Sequence, residues 1–82
     1  MKFYIASSFV DVPYFLGAPD RLRLASVEDA TRKAVESSEV HGTKSFIIEL
    51  DDVAQTGIVL AVTNVKHVVT VVPVGGQDVS AR

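Results

Sequence analysis

Apolar and polar residues recur along the chain in two spacings, one typical of strands and one typical of a helix. Residues 2–9 (KFYIASSF) are rich in aromatic and β-branched residues, and they predict a strand. Residues 21–24 (RLRL) alternate strictly, and they predict a short strand in which Leu22 and Leu24 face inward. Both predicted strands precede the part of the chain with a helical pattern.

A single helix is predicted over residues 26–40. Ser26 is a suitable N-cap, and the residues after it place small and apolar side chains on one helical face: Val27, Ala30, Thr31, Ala34 and Val35. Gly42 is well placed to end the helix in a left-handed conformation. The sequence therefore predicts one amphipathic helix.

Three further strands are predicted after the helix, over residues 44–50, 57–63 and 67–73. The last two flank a short polar turn at residues 64–66 and are predicted to form a hairpin. The predicted fold class is α+β, with one amphipathic helix packed on a mainly antiparallel sheet of four to five strands in the order β-β-α-β-β-β. The pairing direction of the first strand stays open.

The predicted sheet is too apolar to be covered by one helix. A sheet with one solvated face alternates apolar and polar residues, and residues 58–62 and 68–72 do not alternate. The sheet can curl into a barrel, residues 10–20 can fold across its second face, or a second chain can cover that face. The last strand is a valine-rich candidate edge without charged residues, which favours pairing with a second copy. We therefore expect a homo-oligomer, such as a homodimer.

Composition narrows the classes of protein. The chain has 82 residues and no cysteine, which excludes disulfides and thiolate metal ligands. Its formal net charge of −2 does not favour a nucleic-acid partner, and no apolar run is long enough to span a membrane. We expect a cytoplasmic protein with a single domain over residues 1–74 and a flexible tail over residues 75–82.

Candidate chemistry is sparse. The sequence contains no recognisable nucleophile–base motif, so we expect no enzyme activity, no catalytic residue, no cofactor and no metal. Arg21 and Arg23 share one face of the predicted short strand, and Tyr4 can lie beside them. This set is a candidate site for a small anionic ligand such as a nucleotide, and the alternative is a solvated strand face.

Two functional hypotheses follow. The first is a small non-enzymatic interaction or regulatory protein, homo-oligomeric, that binds a protein partner through an apolar sheet edge or the 13–16 segment. The residues predicted at its interface are Tyr14, Phe15, Leu16, Val59, Val69 and Val71. The alternative is a homo-oligomer that binds or sequesters a small anionic ligand at a subunit interface. Accessory and phage-encoded regulators often have this size, which is an analogy of size alone.

Overall fold

The computed structural model describes residues 1–65 and 69–80, with side chains described up to residue 74. Within that part, four strands form an antiparallel sheet in the order β1-β2-β3-β4, so the predicted α+β class is confirmed and β1 pairs antiparallel with β2. A short 3-10 helix lies between the two α-helices. The elements are β1 (Lys2–Ser7), α1 (Val12–Leu16), the 3-10 helix (Asp20–Leu22), α2 (Val27–His41), β2 (Phe46–Asp51), β3 (Thr56–Asn64) and β4 (Thr70–Ser80).

Local capping sets both ends of α2. The Ser26 hydroxyl accepts a hydrogen bond from the Asp29 N–H at 3.1 Å, which satisfies one backbone donor of the first turn. Gly42 has φ 67° and donates its N–H to the Ser38 carbonyl at 2.8 Å. This left-handed geometry suits glycine, which lacks a Cβ. The predicted helix is confirmed, with each boundary one residue later than expected.

α2 packs on one face of the sheet through small side chains. Ala30 and Ala34 are fully buried and form a cluster with Ile47 of β2 and Ala61 of β3. Because alanine side chains are short, the helix can lie close to the strands. Val27 was expected on the buried face but is 38% exposed.

The opposite face is partly covered by residues 12–18. Val12, Phe15 and Ala18 are buried in a cluster with β-strand residues Phe3, Ile5, Ile48, Leu50 and Val59. A continuous helix was not expected across residues 10–20. The five-residue helix α1 nevertheless forms there, because Pro13 occupies its first turn, where a missing N–H costs nothing. Of the three expected arrangements, the second is therefore observed over this part of the sheet.

The prediction of a short strand over residues 21–24 is wrong. Residues Asp20–Leu22 form a 3-10 helix after Pro19, and only Leu24 pairs with Tyr4, in a single bridge. Pro19 accepts the Leu22 N–H at 2.9 Å, so the turn satisfies backbone groups that a strand would have left to β1. Leu22, expected to face inward, is 44% exposed.

β4 is longer than the sequence suggests. The domain was expected to end at residue 74, whereas β4 continues to Ser80, which pairs with Thr56. The pairing of Asn64 with Thr70 confirms the predicted β3–β4 hairpin. Residue 66 of the predicted turn, residues 67–68 of the predicted last strand and residues 81–82 of the predicted tail lie outside the described residues.

Candidate functional site

A cleft lies beside the outer edge of β1, where the chain leaves the sheet. Tyr4 and Leu24 exchange two backbone hydrogen bonds, at 2.9 and 2.8 Å. On the N-terminal side of Leu24 the chain turns into the 3-10 helix, so no strand among the described residues lies opposite Ala6 on this side of β1. Because backbone groups of alternate residues point to the same side of a strand, the N–H and C=O of Ala6 point towards this gap. The resulting cleft has a volume of about 230 Å³.

The wall of the cleft opposite β1 is aromatic. Phe15 is buried, and its ring centroid lies 5.2 Å from that of Phe9 and 5.8 Å from that of Tyr14, in tilted arrangements. Phe9 and Tyr14 are 49% and 61% exposed, so much of their apolar surface faces solvent or the cleft. Apart from these rings, the uncharged lining residues are Ile5, Ala6, Ser7, Ala18, Leu22 and Leu24.

The charges at the cleft are all of one sign. Arg21 and Lys33 line it, and no carboxylate of the described residues does. Neither cation forms an ion pair within 4.0 Å among the described residues, whereas Arg23 and Arg32 both do. An apolar recess with two unpaired cations at its border is electrostatically suited to an anionic group.

Arg23 has a structural role instead of lining the cleft. Its Nε donates to the Ala18 carbonyl at 2.9 Å and its Nη2 donates to the Leu16 carbonyl at 3.1 Å. The guanidinium also lies 4.3 Å from the ring centroid of Phe3, with Nη1 3.8 Å from Asp52 Oδ2. Arg23 therefore ties the end of α1 to the sheet and holds one wall of the cleft in place.

We expect Arg23→Ala to lower the free energy of unfolding by about 1–2 kcal/mol, because two charge-assisted hydrogen bonds to carbonyls and a cation–π contact are lost. Urea denaturation followed by circular dichroism measures this change. The matched control is Arg32→Ala, since Arg32 is 73% exposed and its contact with Asp29 is a surface i,i+3 pair. Its effect should stay below about 0.5 kcal/mol. Equal effects of the two variants would show that Arg23 does not anchor α1.

The three residues of the predicted anion site are not brought together. Tyr4 donates its hydroxyl to Glu49 Oε2 at 3.1 Å, on the face of the sheet that carries α2. Burial and this hydrogen bond raise the pKa of Tyr4. Arg23 lies over Phe3 on the opposite face, and only Arg21 lines the cleft. The prediction that Tyr4, Arg21 and Arg23 form one site is wrong, because the 3-10 helix replaces the strand that would have aligned the arginines.

The turn between β2 and β3 is organised by Asp51. Its Oδ1 accepts the backbone N–H groups of Ala54 and Val53, at 3.1 and 3.0 Å, and these bonds lower the pKa of the Asp51 carboxyl. The nearby carboxylates Glu49 and Asp52 pair with Lys2 and Arg23. Among the described residues, no three side chains of the kinds that bind metals are grouped for that purpose.

A carboxyl whose pKa is lowered by folding stabilises the native state above its unfolded pKa of about 3.9. That contribution is lost as the pH falls through the lower, folded pKa. We therefore expect the stability difference between the native chain and Asp51→Asn to be constant above pH 5 and to shrink below about pH 4. Urea titrations at pH 6 and pH 3 measure it. A difference that is the same at both values would contradict this role of Asp51.

The six residues predicted at an interface differ in exposure. Tyr14 is exposed, and Leu16, Val69 and Val71 are half-buried. Phe15 and Val59 are only 3% and 8% exposed and lie in the core of the chain. The prediction is corrected for these two, because their side chains are already covered by their own chain and have little surface to offer a partner.

A second apolar surface crosses the face of the sheet that carries α1, beyond the part that α1 covers. Val62 pairs directly with Phe46 on one side and with Val72 on the other, so the three side chains form one cross-strand row. We call these three residues the open row. Phe46 and Val62 are half-buried, and Val72 is 42% exposed. Val74, further along β4, is 36% exposed.

Several residues of the cleft and of the open row were not predicted from the sequence. Lys33 reaches the cleft only because α2 crosses the sheet near the edge of β1, which no local pattern encodes. Phe9 was assigned to the end of the first predicted strand, whereas β1 ends at Ser7, and the ring lines the cleft instead. Val72 was recognised as part of the valine-rich strand but not as a member of a row across three strands.

Comparisons with protein-family models, with curated proteins and with solved structures found no match to this chain. Neither α1 nor α2, the α-helices of the described residues, has the length and apolar content that crossing a membrane requires.

Proposed function

We propose that this chain is a small cytoplasmic, non-enzymatic interaction protein that pairs with a second copy of itself through the open row. The observation that carries the proposal is the incomplete cover of the α1 face. α1 lies over the half of that face around Ile48 and Leu50, and the row of Phe46, Val62 and Val72 lies beyond it. Apolar surface of this kind is stabilised when a partner removes it from water.

A second copy is a suitable occupant because the open row contains no charged residue and can match itself. Two rows related by a two-fold axis bring the same apolar patch together from both chains, as in most symmetric dimers. In an 82-residue chain without disulfides, burial at a subunit interface also adds apolar area to a small core.

Face-to-face packing is favoured over pairing of β4 edges. Pro73 lies within β4, opposite Ala61, and has no N–H to donate to a neighbouring strand. The register between β3 and β4 also shifts between Val59 and Ala61, which interrupts the regularity of the edge. Both features disfavour edge-to-edge pairing along the middle of β4, so the open row is the more suitable surface for a second copy.

We expect Val72→Lys to convert the dimer to a monomer, because a charge within an apolar interface has to be desolvated without a partner. Light scattering coupled to size exclusion measures the mass, where the chain itself is 8.8 kDa. The control is Val53→Lys, since Val53 is 81% exposed in the turn after β2 and lies outside the open row. A Val72→Lys protein that remains folded and dimeric would place the interface elsewhere.

A further inference from the structure

We propose that the cleft beside β1 is a second binding site, distinct from the open row, which takes the C-terminal end of an extended peptide with an apolar last residue. The cleft lies beside the outer edge of β1, whereas the open row runs from β2 to β4, the other edge of the sheet. Ser7, which lines the cleft, pairs with Phe46 at the β2 end of the open row. Pairing centred on β3 and β4 therefore leaves the outer edge of β1 available to another chain.

The backbone of Ala6 supplies the first part of the recognition. At the outer edge of β1, Leu24 pairs with Tyr4, and in the part of the chain that the structure describes no residue pairs with Ala6 on that side. An extended peptide that enters this gap can exchange hydrogen bonds with the Ala6 N–H and C=O, which is strand addition over one residue pair. Because Leu24 closes one end of the gap, the gap accommodates the end of a chain better than a strand that passes through.

The charges that line the cleft determine which end of the peptide is bound. Arg21 and Lys33 line the cleft, no described carboxylate lines it, and neither cation has an ion-pair partner among the described residues. A terminal carboxylate complements these charges, and a terminal ammonium is repelled by them. Arg21 can hold both oxygens of a carboxylate, which a lysine cannot do with the same geometry.

The size and lining of the cleft point to one anchored apolar side chain. Its volume of about 230 Å³ is below the range of about 300–1,000 Å³ that is typical of sites for drug-sized ligands. Phe9, Tyr14 and Leu22 present exposed apolar surface there, next to the buried Phe15. The geometry is therefore suited to a single leucine or valine side chain together with its carboxylate.

The test is an NMR titration of the ¹⁵N-labelled chain with the tetrapeptide Gly-Ser-Thr-Leu, once with a free C-terminal carboxylate and once as the amide. We expect the acid to shift the amide signals of Ala6, Ser7 and Leu24, and to bind at least about tenfold more tightly than the amide. Arg21→Glu should weaken binding by about tenfold or more. The control Lys44→Glu makes the same charge change at an exposed residue that does not line the cleft, and it should bind as the native chain does.

Three results would overturn the proposal. Equal affinity of the acid and the amide would remove the role of the terminal carboxylate. Equal shifts of the same signals by inorganic phosphate or by adenosine monophosphate would assign the cleft to small anions instead of a peptide. Absence of shifts at Ala6 with 1 mM of either a leucine-terminated or a valine-terminated peptide would also refute it. Val72→Lys separates the two sites, since it should change the mass of the protein without changing the titration.

Discussion

Gly57→Ala is expected to lower the free energy of unfolding by about 2–3 kcal/mol, because α1 rests directly on the backbone of β3 at this residue. A Cβ at position 57 would lie 2.7 Å from Val12 Cγ2, 3.2 Å from Val12 Cγ1 and 3.4 Å from Leu50 Cδ2. Valine cannot move its methyl groups freely, since branching at Cβ restricts its χ1 angle. The added methyl therefore has to push α1 away from the sheet. Urea denaturation measures the change.

The control for this variant is Gly17→Ala. The nearest atom to a Cβ there is the Tyr14 carbonyl oxygen at 3.7 Å, an ordinary contact, and we expect an effect below about 0.5 kcal/mol. Val12→Ala in the Gly57→Ala background supplies a second check. If the clash is the cause, the second substitution relieves it, and the two effects are less than additive. Fully additive effects would show that Gly57 matters for another reason.

Thr63→Val is expected to lower the free energy of unfolding by about 2–3 kcal/mol, although it preserves the shape of the side chain. Thr63 Oγ1 accepts the Ser45 N–H at 2.8 Å and lies 2.6 Å from Ser38 Oγ, with all three residues 1% exposed. This buried group joins α2 to β3 and to the residue before β2. Valine leaves the Ser45 N–H without an acceptor in a site that water does not reach, and an unpaired buried donor is costly.

The matched control is Thr63→Ser, which keeps the hydroxyl and removes only the methyl group. We expect it to cost about 1 kcal/mol, and Ser38→Ala to cost a similar amount, because the bond from Ser45 to Thr63 survives in both. Denaturation curves of the three variants therefore rank Thr63→Val as the least stable. If Thr63→Val and Thr63→Ser are equally stable, the hydroxyl contributes nothing to the packing of α2.

Local signals predicted the elements whose ends are fixed locally. Ser26 and Gly42 bound α2 because their own geometry caps it, and the apolar content of residues 57–63 placed β3 correctly. The strand predicted over residues 21–24 does not form, because an alternation over only four residues favours a strand less strongly than Pro19 favours a turn. The excess of apolar residues in the strands correctly indicated that the sheet needs cover on a second face, and α1 supplies part of it.

The two candidate surfaces depend on tertiary placement and could be predicted only in part. Arg21 was recognised as a candidate ligand residue, but its partner Lys33 comes from a helix whose crossing over β1 is not encoded locally. The open row requires the registers of three strands, and the shift between Ile47 and Ile48 means that simple alternation misplaces side chains. Sequence reasoning therefore predicted a second copy or another partner, which stays a prediction, but it did not locate the open row.

Intermolecular NOEs report whether a second copy covers the open row, as we propose. Mixing ¹³C-labelled and unlabelled chains and selecting contacts between them should give NOEs from the Val62 and Val72 methyl groups to the Phe46 ring of the other chain. Val12, a buried residue of α1 in the core of its own chain, serves as the internal control and should give none. A monomeric mass with no intermolecular NOE, or NOEs confined to residues outside the open row, would show that the open row is not the dimer interface.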